Sequence, residues 1–404
     1  MGGKQMSNNI SRRDLFKVSG ATAVGISLSS LLAACGGSSS DSAISGKTLK
    51  VGLMGPYSGD VAQYGLAVRN GAKLYFKQFN KKGGTSTGKK ISLIVQDEKG
   101  DATEAVNVYQ KMAESNVVAV LGDVTSTPSI AVAQEAVKDN MPLVSASATA
   151  ADFIKYGKNA FRACYTDPYQ GKLMADFAAK KGYKTLCTIY NSGGDYEKGV
   201  NDAFVKEAKK KGLKIATQES YSAGDVDFKA QLANIIAKKP DAVLSPNYYQ
   251  DDGKIVTQAR QLGYTGVFLG ADGWANIVGG DEDYASGKDL EGCFYDTSFV
   301  SANTDKSVQQ FIKDYKAEYN ADPTNFCALG YDAAMILCDA INKVEKAGKA
   351  KTYKDYKQAV IDAIAKGTVK GVTGTIKYEG TGDPVKSTLI IGFKDGKEYI
   401  ETTM

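Results

Sequence analysis

The chain has 404 residues, with 50 lysines and arginines against 45 aspartates and glutamates and no histidine. That length provides for two or three domains with substantial apolar cores. The missing histidine excludes Ser-His-Asp and Cys-His catalysis, His-ligated zinc and an imidazole base, and the 46 basic and 44 acidic residues beyond position 34 give no excess of positive charge for a nucleic-acid partner.

Residues 1–34 read as an export signal: Arg12 and Arg13 precede a short apolar stretch interrupted by Gly20 and Gly25, too weak for a stable membrane span. SRRDLFK resembles the twin-arginine export motif, which implies export after folding; the same pair also reads as the positive start of a general secretory signal. LAAC, Leu32 to Cys35, resembles the lipobox of bacterial lipoproteins, in which the cysteine is lipidated and becomes the first residue of the mature chain. Glycine and serine dominate the next segment, so residues 35–46 are expected to form a lipidated flexible tether. No later apolar run reaches the roughly 18 residues of a spanning helix. The expected location is the outer face of a bacterial cytoplasmic membrane, with a soluble body held there by lipid.

From Lys47 short β-rich runs alternate with helical patterns. LKVGLMG (49–55) leads to a helix near 62–81, where Ala67, Gly71, Leu74 and Tyr75 recur at helical spacing before KKGG stops it. ISLIVQD (91–97) precedes a helix capped by Asp101 and Glu104, with Ala102, Val106, Tyr109 and Ala113 as its apolar stripe. VVAVLGD (117–123) precedes a helix opening at Pro128, and PLVSAS comes next. Four strands with three intervening helices predict a parallel doubly wound sheet, whose ligands lie beyond the carboxyl ends of its strands.

The pattern then restarts. Strands at 185–190, 214–221, 241–246 and 266–271 alternate with helices near 168–182, 195–212, 227–239 and 251–263. CFYDTSFV (293–300) and helices at about 305–319, 326–347 and 353–367 come after them. The fold class expected is α/β: two doubly wound lobes facing each other across a cleft, joined by several hinge strands.

Three loops end strands of the first lobe: GPYSGDVAQYG (55–65), GDVTSTPS (122–129) and SASATAAD (145–152). Each sets hydroxyls and backbone N–H groups just before a helix, an arrangement that binds anions, although Ser126 or Thr149 also reads as a plain helix cap. The second lobe offers Tyr196, Tyr248, Tyr249, Asp272 and Trp274 at its strand ends. Hydroxyls on one side with a carboxylate and aromatics on the other suit a zwitterion such as a free amino acid. Asp272 also reads as a turn acid before Gly273, and the tyrosines as interlobe packing. The glycine-rich loops lack nucleotide-binding spacing. Cys164, Cys187, Cys293, Cys327 and Cys338 fit no metal spacing. Cys327 and Cys338, about 16 Å apart on one helix, cannot bridge. Buried free thiols are expected.

Together GPYSGDVAQYG, LGDVTSTPS, PLVSASAT, FRACYTDPYQG, DYEKG, NYYQDDGKIVTQAR, FLGADGW and GYDAA, in this order, make the chain from Lys47 onward resemble the periplasmic leucine/isoleucine/valine-binding proteins, the receptors of branched-chain-type ABC importers. The resemblance implies a periplasmic binding protein type I fold that closes around its ligand like a flytrap. Residues 47–163 with 295–384 would form the N-terminal lobe, and 164–294 with 385–404 the C-terminal lobe. Hinges would fall near Arg162–Tyr165, Cys293–Asp296 and Asp383–Lys386. It implies that Ser126, Ser147, Thr149 and the backbone of Ala148 hold an α-carboxylate. Asp272 would hold an α-ammonium, and Tyr64, Tyr196 and Tyr248 would cover the ligand. Tyr57, Trp274 and Tyr331 would line the side-chain pocket.

The expected function is delivery of a branched-chain or other apolar amino acid to ABC permease subunits by a monomeric, non-enzymatic lipoprotein without cofactor or metal. A binding or sensor protein for an amide or aromatic acid is the alternative. Three departures from the family pattern bear on this, and the first is that Asp272 is a methylene shorter than the glutamate of some members. Thr125 stands where some members carry a disulfide cysteine, and Pro246-Asn247 stands where a glycine pair occurs.

Overall fold

The computed structural model describes residues 40–279 and 284–404. The export signal, the arginine pair and Cys35 lie outside the described residues.

A short helix α1 (Ser42–Ser45) leads into β1 (Thr48–Gly55), α2 (Ala62–Lys81), β2 (Lys90–Asp97), α3 (Ala102–Glu114), β3 (Ala119–Leu121), α4 (Ser126–Ala136), β4 (Leu143–Ser145) and β5 (Ala160–Arg162). These five strands form one wholly parallel sheet in the order β2-β1-β3-β4-β5. β1 shows why: its first residues alternate exposed and buried, and then burial becomes continuous where β1 runs between β2 and β3. A strand covered on both faces is apolar throughout.

The second sheet takes α5 (Asp167–Lys180), β6 (Thr185–Asn191), α6 (Asp195–Lys210), β7 (Lys214–Tyr221), α7 (Lys229–Ala237), β8 (Ala242–Leu244), α8 (Tyr249–Gln261), β9 (Val267–Leu269) and β10 (Phe294–Thr297). The chain then supplies α9 (Lys306–Tyr319), α10 (Asn325–Ala347) and α11 (Tyr353–Ala365), and a small hairpin of β11 (Thr368–Gly371) and β12 (Gly374–Lys377). It returns as β13 (Leu389–Lys394) and β14 (Lys397–Thr403), which close the second sheet in the order β14-β13-β10-β9-β8-β6-β7. β13 and β14 are antiparallel. The chain passes between the sheets at 163–166, after β10 at 298–305 and at 378–388. The second passage begins after Thr297, because all four residues of β10 pair with β13 in the second sheet.

Several local expectations are corrected. α4 opens at Ser126, two residues before Pro128, with Thr125 as its extended N-cap. In α3 the cap is Asp101 alone, whose carboxylate accepts from the N–H groups of Thr103 and Glu104. Its buried face is Ala105, Val108, Tyr109 and Met112, rotated from the expected stripe so that Ala102, Val106 and Ala113 are its half-buried margin. The end of the expected tether is folded. Ile44 is buried, its carbonyl accepts from Lys89 Nζ at 2.6 Å, and Asp41 Oδ1 accepts from the N–H of Tyr353 at 2.7 Å.

The five cysteines of the body are free and buried, and Cys327 and Cys338 share α10. Among the described residues no helix is long and apolar enough to cross a membrane.

The first lobe's helical layer depends on a close crossing of α2 and α10. A Cβ on Gly71 would lie 1.9 Å from the carbonyl oxygen of Cys327, and one on Gly330 would lie 2.3 Å from that of Val68. Gly330→Ala therefore pushes the two backbones apart and is expected to cost about 1–3 kcal/mol. A thermal melt reads this as a lowered midpoint, and an unchanged midpoint contradicts the close crossing.

Candidate functional site

The carboxyl ends of β3 and β4 deliver two polar loops to the cleft. The first becomes the start of α4, where Ser126 and Thr127 present N–H groups that a helix start leaves without intrahelical partners. The second is the turn after β4. Ser145, fully buried, holds this turn in place: its hydroxyl donates to the carbonyl of Asp123 at 2.6 Å and accepts from the N–H of Ala148 at 2.9 Å. Ser147 Oγ donates to the carbonyl of Val124 at 2.8 Å, and Ser126 Oγ accepts from the N–H of Ala150 at 3.2 Å. The two loops are thereby fastened to each other.

From the second sheet come the first turn of α6 with Tyr196, the N-cap of α8 with Tyr248, and the turn Asp272–Trp274 after β9. Tyr196 and Tyr248 stack at 5.2 Å with planes 7° apart. The hydroxyl of Tyr196 accepts from the N–H of Gly273 at 3.0 Å, and the N–H of Asp272 donates to Gln170 Oε1 at 3.0 Å.

Tyr64, at the start of α2, joins the two sides. Its hydroxyl donates to the carbonyl of Gly273 and accepts from the N–H of Tyr249 at 2.9 Å. Thr127 Oγ1 donates to Asp195 Oδ2 at 2.8 Å, and Tyr249 OH donates to the carbonyl of Asp60 at 3.1 Å. The lobes are in contact across the cleft, so the molecule is described in a closed arrangement.

Between them lies a small cavity lined by Ser126, Ser147 and Thr149 from one side and by Asp272, Tyr196 and Tyr248 from the other, with Tyr64 spanning both. Val124, Thr125, Gly273 and Phe326 complete the wall. Phe326 lies on α10 and stacks on Tyr64 at 4.3 Å; no motif in the sequence singles it out.

Four of the expected residues lie elsewhere. Ala148 packs into the first lobe's core; its N–H is taken by Ser145, and its carbonyl accepts from Arg162 Nη1 at 2.6 Å. Trp274 is fully buried behind the cavity, its indole N–H donating to the carbonyl of Ser245 at 2.8 Å. Tyr57 lies under the guanidinium of Arg69, 5.0 Å from its ring centre. Tyr331 leaves toward Tyr75 and Phe311 and donates to Gln78 Oε1 at 2.7 Å.

The cavity is electrically two-sided. Its first wall carries the positive end of a helix and hydroxyls, and its second a carboxylate. Burial pushes the carboxyl of Asp272 up to about 7. Asp167 and Asp296 sit buried nearby, and desolvation, reinforced by the charge of Asp272, pushes both well above the carboxylate range. The ionised forms of both are therefore disfavoured, and Asp272 is the carboxyl that lines the cavity. The arrangement suits a molecule with an anionic and a cationic end, and it contains no activated nucleophile.

The profile of the periplasmic binding protein family matches residues 48–396. The chain is similar to the Leu/Ile/Val-binding protein BraC3 of Rhizobium johnstonii, 30% identical over 339 residues that make up 83% of this chain and 88% of that protein. A leucine-, isoleucine-, valine-, threonine- and alanine-binding protein of Pseudomonas aeruginosa is 29% identical over 83% of this chain and 87% of its own. Among solved structures, the branched-chain amino acid transporter substrate-binding protein LivJ of Streptococcus pneumoniae, in complex with isoleucine, superposes with a TM-score of 0.79 at 30% identity. That match covers 88% of this chain and 98% of the other.

Removing the bridging hydroxyl tests the closed arrangement. Tyr64→Phe leaves the N–H of Tyr249 and the carbonyl of Gly273 without their partner, which is expected to weaken closure by about 1–3 kcal/mol. Small-angle scattering of the ligand-free variant should report a larger radius of gyration than the parent. Equal radii count against a latch at Tyr64.

Proposed function

The chain belongs to the periplasmic binding protein family, and from that premise we propose that it captures a free amino acid with an apolar side chain outside the cytoplasm and delivers it to an ABC importer. The observation that carries this reading is the single cavity in which the start of α4 and the Ser147–Thr149 turn face Asp272. The α-carboxylate is received by the N–H groups opening α4 and by the hydroxyls of Ser126 and Thr149, while Ser147, whose hydroxyl donates to the carbonyl of Val124, braces the turn. The α-ammonium pairs with Asp272. Tyr64, Tyr196, Tyr248, Phe326 and Val124 line the same cavity and would surround the side chain. The names of the similar proteins support branched-chain and small aliphatic amino acids as the class. Cys35 would carry the lipid that keeps the protein at the membrane near its permease.

Affinity on this reading comes from charges buried at both ends of the ligand, so neither end is dispensable. Thermal-shift screening of the full chain against the twenty amino acids and a set of aromatic acids tests it, since a ligand that binds only the folded state raises the midpoint. Apolar amino acids should raise it, and their amides and deaminated analogues should not. Stabilisation by an aromatic acid lacking an ammonium, at least as large as by any amino acid, overturns the assignment.

Asp272→Asn keeps the shape and removes the charge, so calorimetry should record a loss of about 2–5 kcal/mol in binding. The pH dependence has a definite sign. Asp272 must be ionised to pair with an ammonium, and burial holds its carboxyl at about 7. Protons therefore compete with the ligand at lower pH. Affinity should be level above about pH 7 and fall by up to about tenfold per unit below it, with proton release to the buffer measurable on binding near and below that pH. A flat profile from pH 5 to 8 removes Asp272 as the ammonium partner.

A further inference from the structure

Arg162, at the end of β5, is fully buried and does not line the cavity. Its guanidinium instead holds the back of the turn that does. Nη1 donates to the carbonyl of Ala148 at 2.6 Å, Nη2 donates to that of Ala150 at 3.0 Å, and Nε lies 2.7 Å from Asp383 Oδ1. The carbonyl between them, that of Thr149, accepts from the N–H of Asp167 at 2.9 Å, and the thiol of Cys164 adds a longer contact to the carbonyl of Ala148 at 3.4 Å. Three consecutive carbonyl oxygens are thus taken up on the far side of the turn. This matters for an incoming carboxylate, because a carbonyl oxygen aimed into the cavity would repel it.

The partner Asp383 belongs to the third passage between the lobes, and the first and third passages are bound together there. The N–H of Arg162 donates to the carbonyl of Gly382 at 3.0 Å, Tyr378 OH donates to the carbonyl of Arg162 at 3.0 Å, and Lys386 Nζ donates to the carbonyl of Ala163 at 2.8 Å. Packing at this point allows no side chain: a Cβ on Gly382 would lie 2.1 Å from the carbonyl oxygen of Ala160. Asp383 itself is about one-third exposed, at 31% of its side chain, and so can be changed without opening the core.

We propose that Arg162 and Asp383 are a positioning couple: Arg162 turns the carbonyls of Ala148 and Ala150 away from the ligand, and Asp383 ties that orientation to the hinge. The grip on the ligand carboxylate then depends on where the crossing strand lies. This rests on the carboxylate-binding reading above, but the link between hinge and turn can be read without any ligand.

Two variants of the full chain, Asp383→Asn and Arg162→Lys, separate the possibilities. A lysine cannot serve both carbonyls and the aspartate in the fixed fork of a guanidinium. For Asp383→Asn the expected result is about tenfold faster dissociation of the best amino acid from the screen, within the range of ordinary coupling between sites, with the ligand-free melting midpoint unchanged. Hydrogen exchange of the ligand-free protein should quicken in the peptide covering residues 146–167. Arg162→Lys should move both readouts the same way and further. If no amino acid binds the parent, the functional reading fails while faster exchange still supports the couple. Unchanged exchange and unchanged dissociation in Asp383→Asn overturn it, as does an Arg162→Lys variant that melts earlier yet releases ligand at the parent's rate.

Discussion

A tyrosine hydroxyl carried by one lobe accepts a backbone N–H of the other and donates to a carbonyl of that same opposing lobe, and the closed cleft is organised around it. Tyr64 stands at the first turn of α2, and its ring is gripped by Tyr248, Tyr249 and Phe326. Hydrogen bonds of this kind contribute only about 0.5–1.5 kcal/mol each in net terms. Two of them, helped by Thr127 with Asp195 and Tyr249 with Asp60, bias the lobes toward each other without locking them. A marginal bias of this size is what a small ligand can override in either direction, since its leverage on a two-state equilibrium equals its differential affinity.

Electrostatics around the cavity follow from burial. The first lobe offers an anion hydrogen-bond donors and a helix start, which carry no net charge and lose little on desolvation. The second lobe offers a cation a true carboxylate, and burial makes that charge costly to maintain in the empty cleft. The same environment disfavours ionisation of Asp167 and Asp296. A further pair, Glu98 and Asp123, lies behind the first lobe's loops, and burial raises both above the usual carboxylate range. Of these acids Asp272 is the one that lines the ligand space, and burial disfavours the charge on the others as well.

Much of the architecture was legible in the sequence because strands buried on both faces are written as short apolar runs, and the loops that end them change composition abruptly. Seven of the residues singled out there do line one cavity. The remainder depended on partners far along the chain. Whether the amide of Ala148 is free turns on Ser145 and Arg162, and whether Trp274 faces the cavity turns on the space left by Gly270, where a Cβ would meet the indole at 2.3 Å. Phe326 gives no local signal, since its position is set by the crossing of α10 over α2. β14 is silent in the sequence because it is an edge strand with most of its residues exposed, so its side chains carry no burial pattern.

The five sealed thiols bear on how such a body is made. No covalent cross-link among the described residues has to form before the lobes are complete, so reaching the folded state requires no oxidant. Packing and hydrogen bonds hold the lobes together in place of disulfides.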